Sequence, residues 1–194
     1  MTTETTPAPA RFALSARLLH WVMAPMVISQ VFIGVAMVAS LGCYPLLLAI
    51  HRPLGLLILV FALVRLVNRL THRLPPFLAT MSRAERRIAT WSEKLLYALL
   101  LIQPLIGWAM LSAATFPITV VGPLQLPGIA PHNIDVYGVL RQCHSLLGLL
   151  LFLTFTAHIT AVLFHTLVLR DGIIDRMSVW RTKDTAAQPD DRPL

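Results

Sequence analysis

The chain has 194 residues, of which 56% are hydrophobic and only 13% charged, with a formal net charge of +7. Four long apolar segments fill most of it, which excludes an ordinary soluble core and points to one membrane domain. The charge does not read as a nucleic-acid surface. Of sixteen Lys and Arg, all but Arg52 and Arg141 lie at the N-terminus, around the connection between the second and third apolar segments, or in the C-terminal tail. That is the positive-inside pattern, and it predicts both termini in the cytoplasm.

Residues 1–10, MTTETTPAPA, are polar and read as a disordered tail. Ser15 is placed to cap helix one, with Arg17 at the cytoplasmic surface. Helix one runs to about Ser40, and Pro25 inside it predicts a kink. No formal charge falls between Leu18 and Ile50, a stretch far longer than a signal-peptide apolar region. Leu41 to Pro45 turn the chain outside the membrane. Helix two begins between Leu46 and His51 and ends near Leu70. Pro53 fits an early turn if the helix starts just before it, and otherwise marks a kink.

The stretch THRLPPFLATMSRAERR reads as a basic cytoplasmic loop with a short interfacial helix from Ser82. Helix three spans Trp91 to Ala113, with Pro104 inside. The prolines at 117, 123, 127 and 131 forbid a membrane span in Ala114–Leu140, so that segment is expected to lie over the bundle as a lid. Helix four is Arg141–Leu169, with no formal charge until Arg170, and is longer than the ~20 residues a span needs. Residues 181–194 form a polar tail, which leaves 11–180 as the membrane domain. No internal repeat is apparent. The expected fold is an all-α membrane protein with four transmembrane helices in a bundle.

Histidines carry the chemistry. An imidazole in hydrocarbon is costly without a partner, so each one is a functional candidate. His144 and His158 lie fourteen residues apart, close to four turns, so they leave nearly the same face ~21 Å apart along helix four. His51 opens helix two at the outer side and His20 opens helix one at the inner side. Depth therefore pairs His51 with His144, and His20 with His158. His72 and His132 fall in loops. His165 shares the face of His158 and is read as the point where helix four emerges.

Imidazole suits several transition metals. A structural zinc wants four ligands, and helices two to four carry no acidic residue at mid-membrane. Two nitrogens per site suit a metal whose other four positions are filled, as in haem iron. Gly55 and Gly148 each follow a histidine by four residues, and Gly34 lies fourteen after His20. These small residues would admit a porphyrin edge, although close helix packing also favours them. Arg65 lies fourteen residues after His51, at inner-site depth, where it would meet a haem propionate or snorkel to the headgroups. Arg52 and Arg141 are the matching candidates at the outer site, and Arg17 at the inner. No Cys-x-x-Cys-His occurs, so covalent haem attachment is unsupported. Cys43 and Cys143 fall near the outer helix ends. A disulfide and two unpaired thiols are both open, the second being the ordinary state of buried cysteine.

Four pieces in this order resemble the bacterial cytochrome b561 family, which groups with the b-type cytochrome subunits of nickel hydrogenases. They are Arg17-Leu18-Leu19-His20-Trp21; His51-Arg52-Pro53-Leu54-Gly55 with Arg65 and Arg69; His144-Ser145-Leu146-Leu147-Gly148; and His158 followed by Arg170-Asp171-Gly172-Ile173-Ile174-Asp175-Arg176-Met177. The resemblance covers about residues 11 to 178. It implies a four-helix inner-membrane protein with two b haems, ligated by His20, His51, His144 and His158. It also implies electron transfer between ubiquinone, or another quinone, and a second partner. Some members resemble superoxide oxidases, whereas others serve a dehydrogenase or hydrogenase as its membrane anchor. A metal or proton transporter is the rival reading, and it expects acidic groups at mid-membrane.

Overall fold

The computed structural model of the chain describes residues 10–121 and 124–180. Four helices are long and apolar enough to cross a membrane. They are α1 (Leu14–Ala39), α2 (Tyr44–Thr71), α3 (Arg83–Ala113) and α4 (Ile134–Leu163). Helix α1 packs chiefly on α2, and α3 on α4; α2 touches α3 and closes the bundle. Little of any span is buried. Met23, Val27, Ile58, Leu59, Ala62, Leu99 and Leu151 form a thin core, while Phe32, Val38, Val67 and Leu153 point outward. In water that outward surface would be a large uncovered apolar patch; in lipid it needs no partner.

Local chemistry sets the helix ends. Ser82 caps α3 with a reciprocal pair: its Oγ accepts from Glu85 N at 3.2 Å, and Glu85 Oε2 accepts from Ser82 N at 2.6 Å. Such a box satisfies two end donors that would otherwise be bare. The helix expected at the interface from Ser82 is therefore the first part of α3 itself, which begins at Arg83 rather than Trp91. Helix α4 also starts earlier than expected. Asn133 caps it by accepting from Asp135 N and Val136 N, so it begins at Ile134 rather than Arg141. Ser15 does not cap α1; its hydroxyl donates to Asn68 Oδ1 at 2.7 Å on α2. Pro45 stands in the first turn of α2, where its missing N–H costs nothing. Pro53 lies inside that helix.

The connection from α3 to α4 contains an antiparallel pair, β1 (Ile118–Val121) and β2 (Leu124–Leu126), with Ile118 opposite Leu126. It is tied to the outer end of α3, where Trp108 Nε1 donates to Pro127 O at 3.0 Å and Ile129 N donates to Ser112 Oγ at 3.2 Å. At the opposite end, α4 runs into a π-helical turn, Phe164–Leu169, which stops at Arg170 in the left-handed region. A short 3-10 turn, Ile173–Arg176, follows. Arg176 is buried there, donating from Nε to Ala10 O and from Nη2 to Pro76 O, which gathers the start of α1, the α2–α3 connection and the C-terminal segment. Of the tail read as disordered over 1–10, all but Ala10 lies outside the described residues, as does the polar tail from 181.

Candidate functional site

The structure brings the four depth-matched histidines together in two pairs between helices. His51 on α2 faces His144 on α4, with ring centroids 6.2 Å apart and planes at 77°. His20 on α1 faces His158 on α4, with centroids 6.5 Å apart and planes at 73°. Two imidazoles bound to opposite sides of one metal ion, each through a bond of about 2 Å, stand about 6 Å apart between centroids. Both pairs have that spacing. Among the described residues no group of three or more His, Cys, Asp or Glu could hold a metal ion. Each pair therefore offers two nitrogens to a metal, which suits an iron whose equatorial positions a porphyrin already fills.

The outer pair is held by a construction that occurs twice. Gln30 on α1 donates from Nε2 to the backbone oxygen of His51 at 3.0 Å, and Gln103 on α3 donates in the same way to His144 at 2.8 Å. One turn after each glutamine is a glycine that faces the histidine ring, closely at Gly107 and at ordinary contact distance at Gly34. A Cβ on Gly34 would lie 3.8 Å from His51 Cε1, and one on Gly107 would lie 3.1 Å from His144 Cε1. One turn after each histidine is a second glycine that admits the glutamine. A Cβ on Gly55 would lie 3.0 Å from Gln30 Nε2, and one on Gly148 would lie 3.1 Å from Gln103 Nε2. In this structure Gly55 and Gly148 thus leave room for the glutamines and Gly107 for the His144 ring, while Gly34 would admit a Cβ at ordinary contact distance.

The chain does contain an internal repeat, contrary to the sequence reading. Gln-Val-Phe-Ile-Gly at 30–34 recurs as Gln-Pro-Leu-Ile-Gly at 103–107, and His-Arg-Pro-Leu-Gly at 51–55 recurs as His-Ser-Leu-Leu-Gly at 144–148. A shift of 73 residues relates α1 to α3, and a shift of 93 relates α2 to α4. Gln30, Gln103 and Gly107 were missed, and this short echo was the signal for them.

The inner site breaks the repeat. The same shifts carry His20 onto Glu93 and Arg65 onto His158. Arg65 donates to Nδ1 of His20 at 2.9 Å and to the Tyr97 hydroxyl at 3.2 Å. Glu93, a carboxylate that the sequence reading did not count within helix three, lies in its first half and pairs with Arg69 at 2.6 Å. A small cavity lies beside these groups at the cytoplasmic end, lined by Phe12, Arg65, Asn68, Arg69, Glu93 and Tyr97 among others.

The remaining candidates are placed as follows. Arg17 donates to Ser178 O at 2.9 Å. Arg52 lies over the Phe116 ring at 5.9 Å with its Nε buried and unpartnered. Arg141 is exposed. His165 is buried and bonds Asp171 Oδ2 at 2.5 Å. His132 bonds Ala113 O, and His72 bonds Asn68 O at the exposed end of α2. Cys43 and Cys143 are unpaired.

Residues 11–179 match a family model described as prokaryotic cytochrome b561. The chain is also similar to a Yersinia pestis protein described as probable superoxide oxidase CybB. The two are 28% identical over 160 residues, covering 82% of this chain and 90% of that protein.

Proposed function

Because the chain belongs to the prokaryotic cytochrome b561 family, a family of b-type cytochromes in electron transfer across the bacterial inner membrane, we propose that it holds two b haems and carries electrons between them. The observation behind this reading is the spacing of the two pairs, 6.2 and 6.5 Å between ring centroids, with two nitrogens and, among the described residues, no third protein ligand at either. His51 and His144 are the axial ligands of the outer haem, and His20 and His158 those of the inner one. When bound, each haem supplies one-electron chemistry at its iron, and the protein sets its environment.

The chain's own residues would hold the carboxylates and shape the sites. Arg52 and Arg141 serve propionates at the outer site, where the unpartnered Arg52 Nε has a donor to give. Arg17 and Arg65 serve the inner site. A histidine that ligates through Nε2 carries its remaining proton on Nδ1, so Arg65 would leave Nδ1 of His20 for another acceptor, and a propionate is one. Gly34, Gly55 and Gly148 would keep the helices close beside a bound haem.

The electron partner inside the membrane is ubiquinone or another quinone. The Yersinia pestis relative is named a superoxide oxidase, and superoxide oxidised on the outer side with quinone as acceptor is the finer reading taken here. The test is a reduced-minus-oxidised visible spectrum of the purified protein, with a pyridine haemochromogen assay. A b-type spectrum with two haems per chain is expected. A protein that is colourless and cannot be reconstituted with haem would overturn the proposal.

A further inference from the structure

We propose that Gln30 and Gln103 are equivalent positioning residues for the outer haem, each fixing one of its two ligand histidines from a neighbouring helix. The inference rests on the haem reading above and extends it to residues outside the ligand set.

Four observations carry it. First, the two glutamines make the same bond, Nε2 to the histidine's own backbone oxygen, at 3.0 and 2.8 Å. A carbonyl inside a helix already accepts one bond from the helix, so a second donor aimed at it holds that turn against the neighbouring helix. Second, the helices are free of side chain where they approach most closely, at Gly55, Gly107 and Gly148, and Gly34 occupies the fourth equivalent place. A Cβ at 3.0 or 3.1 Å from the glutamine nitrogen would displace the bond, so the glycines and the glutamines form one unit.

Third, each clamp has one unused acceptor and its histidine one unused ring nitrogen. Gln30 Oε1 and Gln103 Oε1 are buried without partners, and so are His51 Nδ1 and His144 Nδ1. Buried polar atoms without partners are rare, and two matched sets at equivalent places are not accidental packing. A histidine bound to metal through one nitrogen carries N–H on the other, and that N–H is normally fixed by an acceptor. The glutamine oxygen is the uncommitted acceptor on each clamp. Fourth, the unit is absent from the inner pair, where charged Arg65 takes the place of the repeat's second histidine. The positioning device is specific to the outer site.

The experiment is redox titration of the full-length protein in detergent or nanodiscs, comparing wild type with Gln30→Met, Gln103→Met and the double variant. Methionine keeps the volume and removes both donor and acceptor. His144→Ala, which removes an outer ligand, assigns the outer haem's absorbance and ferric resonance signals. The expected result is a shift in the outer haem's midpoint potential and ferric signal in either single variant, of the same sign and similar size. The shift is larger in the double variant, and the inner haem is unchanged throughout. Loss of the outer haem alone supports the proposal equally. Two haems with unshifted signals in all three variants overturn it, as do equal changes at both haems, which mark a general packing effect. A wild type without haem overturns the proposed function and this inference with it; a haem-replete wild type with unmoved variants overturns this inference alone.

Discussion

The ring planes of His51 and His144 stand at 77° to one another across a 6.2 Å gap, and those of His20 and His158 at 73° across 6.5 Å. Both pairs are nearly perpendicular, and the backbone of each outer histidine accepts a glutamine bond from a different helix. Perpendicular axial imidazoles leave the iron's two d orbitals of π symmetry nearly degenerate. The expected ferric resonance spectrum is therefore strongly anisotropic and low-spin at both sites. A conventional rhombic signal from either haem would mean that its rings turn toward parallel on binding.

The pairs share no residue, so they should be separable by mutation. His144→Ala and His51→Ala remove one of two ligands from the outer site and leave His20 and His158 untouched. One haem per chain is expected from either variant, with the inner haem's spectrum and potential retained. Loss of both haems from a protein that still folds, judged by helicity and gel-filtration profile, would refute independent sites.

The pairing was legible in the sequence because fourteen residues is close to a whole number of helical turns, and because Arg17, Arg65 and Arg69 mark the cytoplasmic depth. The repeat was not, for a geometric reason. The chain between α1 and α2 is short, that between α3 and α4 holds a β-pair, and so the two halves of the motif are shifted by different amounts, 73 and 93. No single period aligns them. Only folding, which places Gln30 beside His51 and Gln103 beside His144, shows the unit. The start of α3 was misplaced for a different reason. The interfacial helix from Ser82 was read as separate from the span at Trp91, yet the capping box of Ser82 and Glu85 opens one helix that runs through both.

Arg65 should raise the potential of the inner haem. Arg65 bonds neutral groups, His20 and Tyr97, whereas neighbouring Arg69 is neutralised by Glu93 at 2.6 Å. A guanidinium beside the inner site favours the reduced haem, which carries one more negative charge. Arg65→Gln should lower the inner potential in a potentiometric titration and leave the outer one in place. An unchanged inner potential in that variant would show that another charge sets it.

Gly107 offers a test of how closely the outer site is fitted. A Cβ there would stand 3.1 Å from His144 Cε1, tighter than ordinary contact, and 3.4 Å from Nδ1, at its lower edge. The His144 ring cannot retreat without leaving its partner at 6.2 Å. Gly107→Ala is expected to displace the ring and weaken the outer haem. Overpacking of this kind typically costs about 1–3 kcal/mol, roughly 5- to 150-fold in binding. Gly34→Ala, with 3.8 Å to His51 Cε1, should be tolerated. Haem retention through a detergent wash series would rank the two variants, and equal retention would contradict the fit.

Arg176 ties the cytoplasmic end together and should control the stability of that end alone. Its Nε and Nη2 reach the carbonyls of Ala10 and Pro76, and its guanidinium lies over the Phe12 ring at 5.7 Å. Burial disfavours the charged form, and the two carbonyl acceptors and the ring offset that cost. A hydrogen bond to a charged group contributes about 1.5–3 kcal/mol. Arg176→Ala removes two, leaves two carbonyls to find water, and opens a gap against Phe12. Hydrogen exchange should then rise several-fold in residues 170–180 and around Phe12, with α2, α3 and α4 unaffected at mid-span. The outer haem should keep its spectrum, since the clamps of Gln30 and Gln103 lie at the other end of the bundle. If exchange rises along whole helices, Arg176 supports the bundle itself and the ends are coupled.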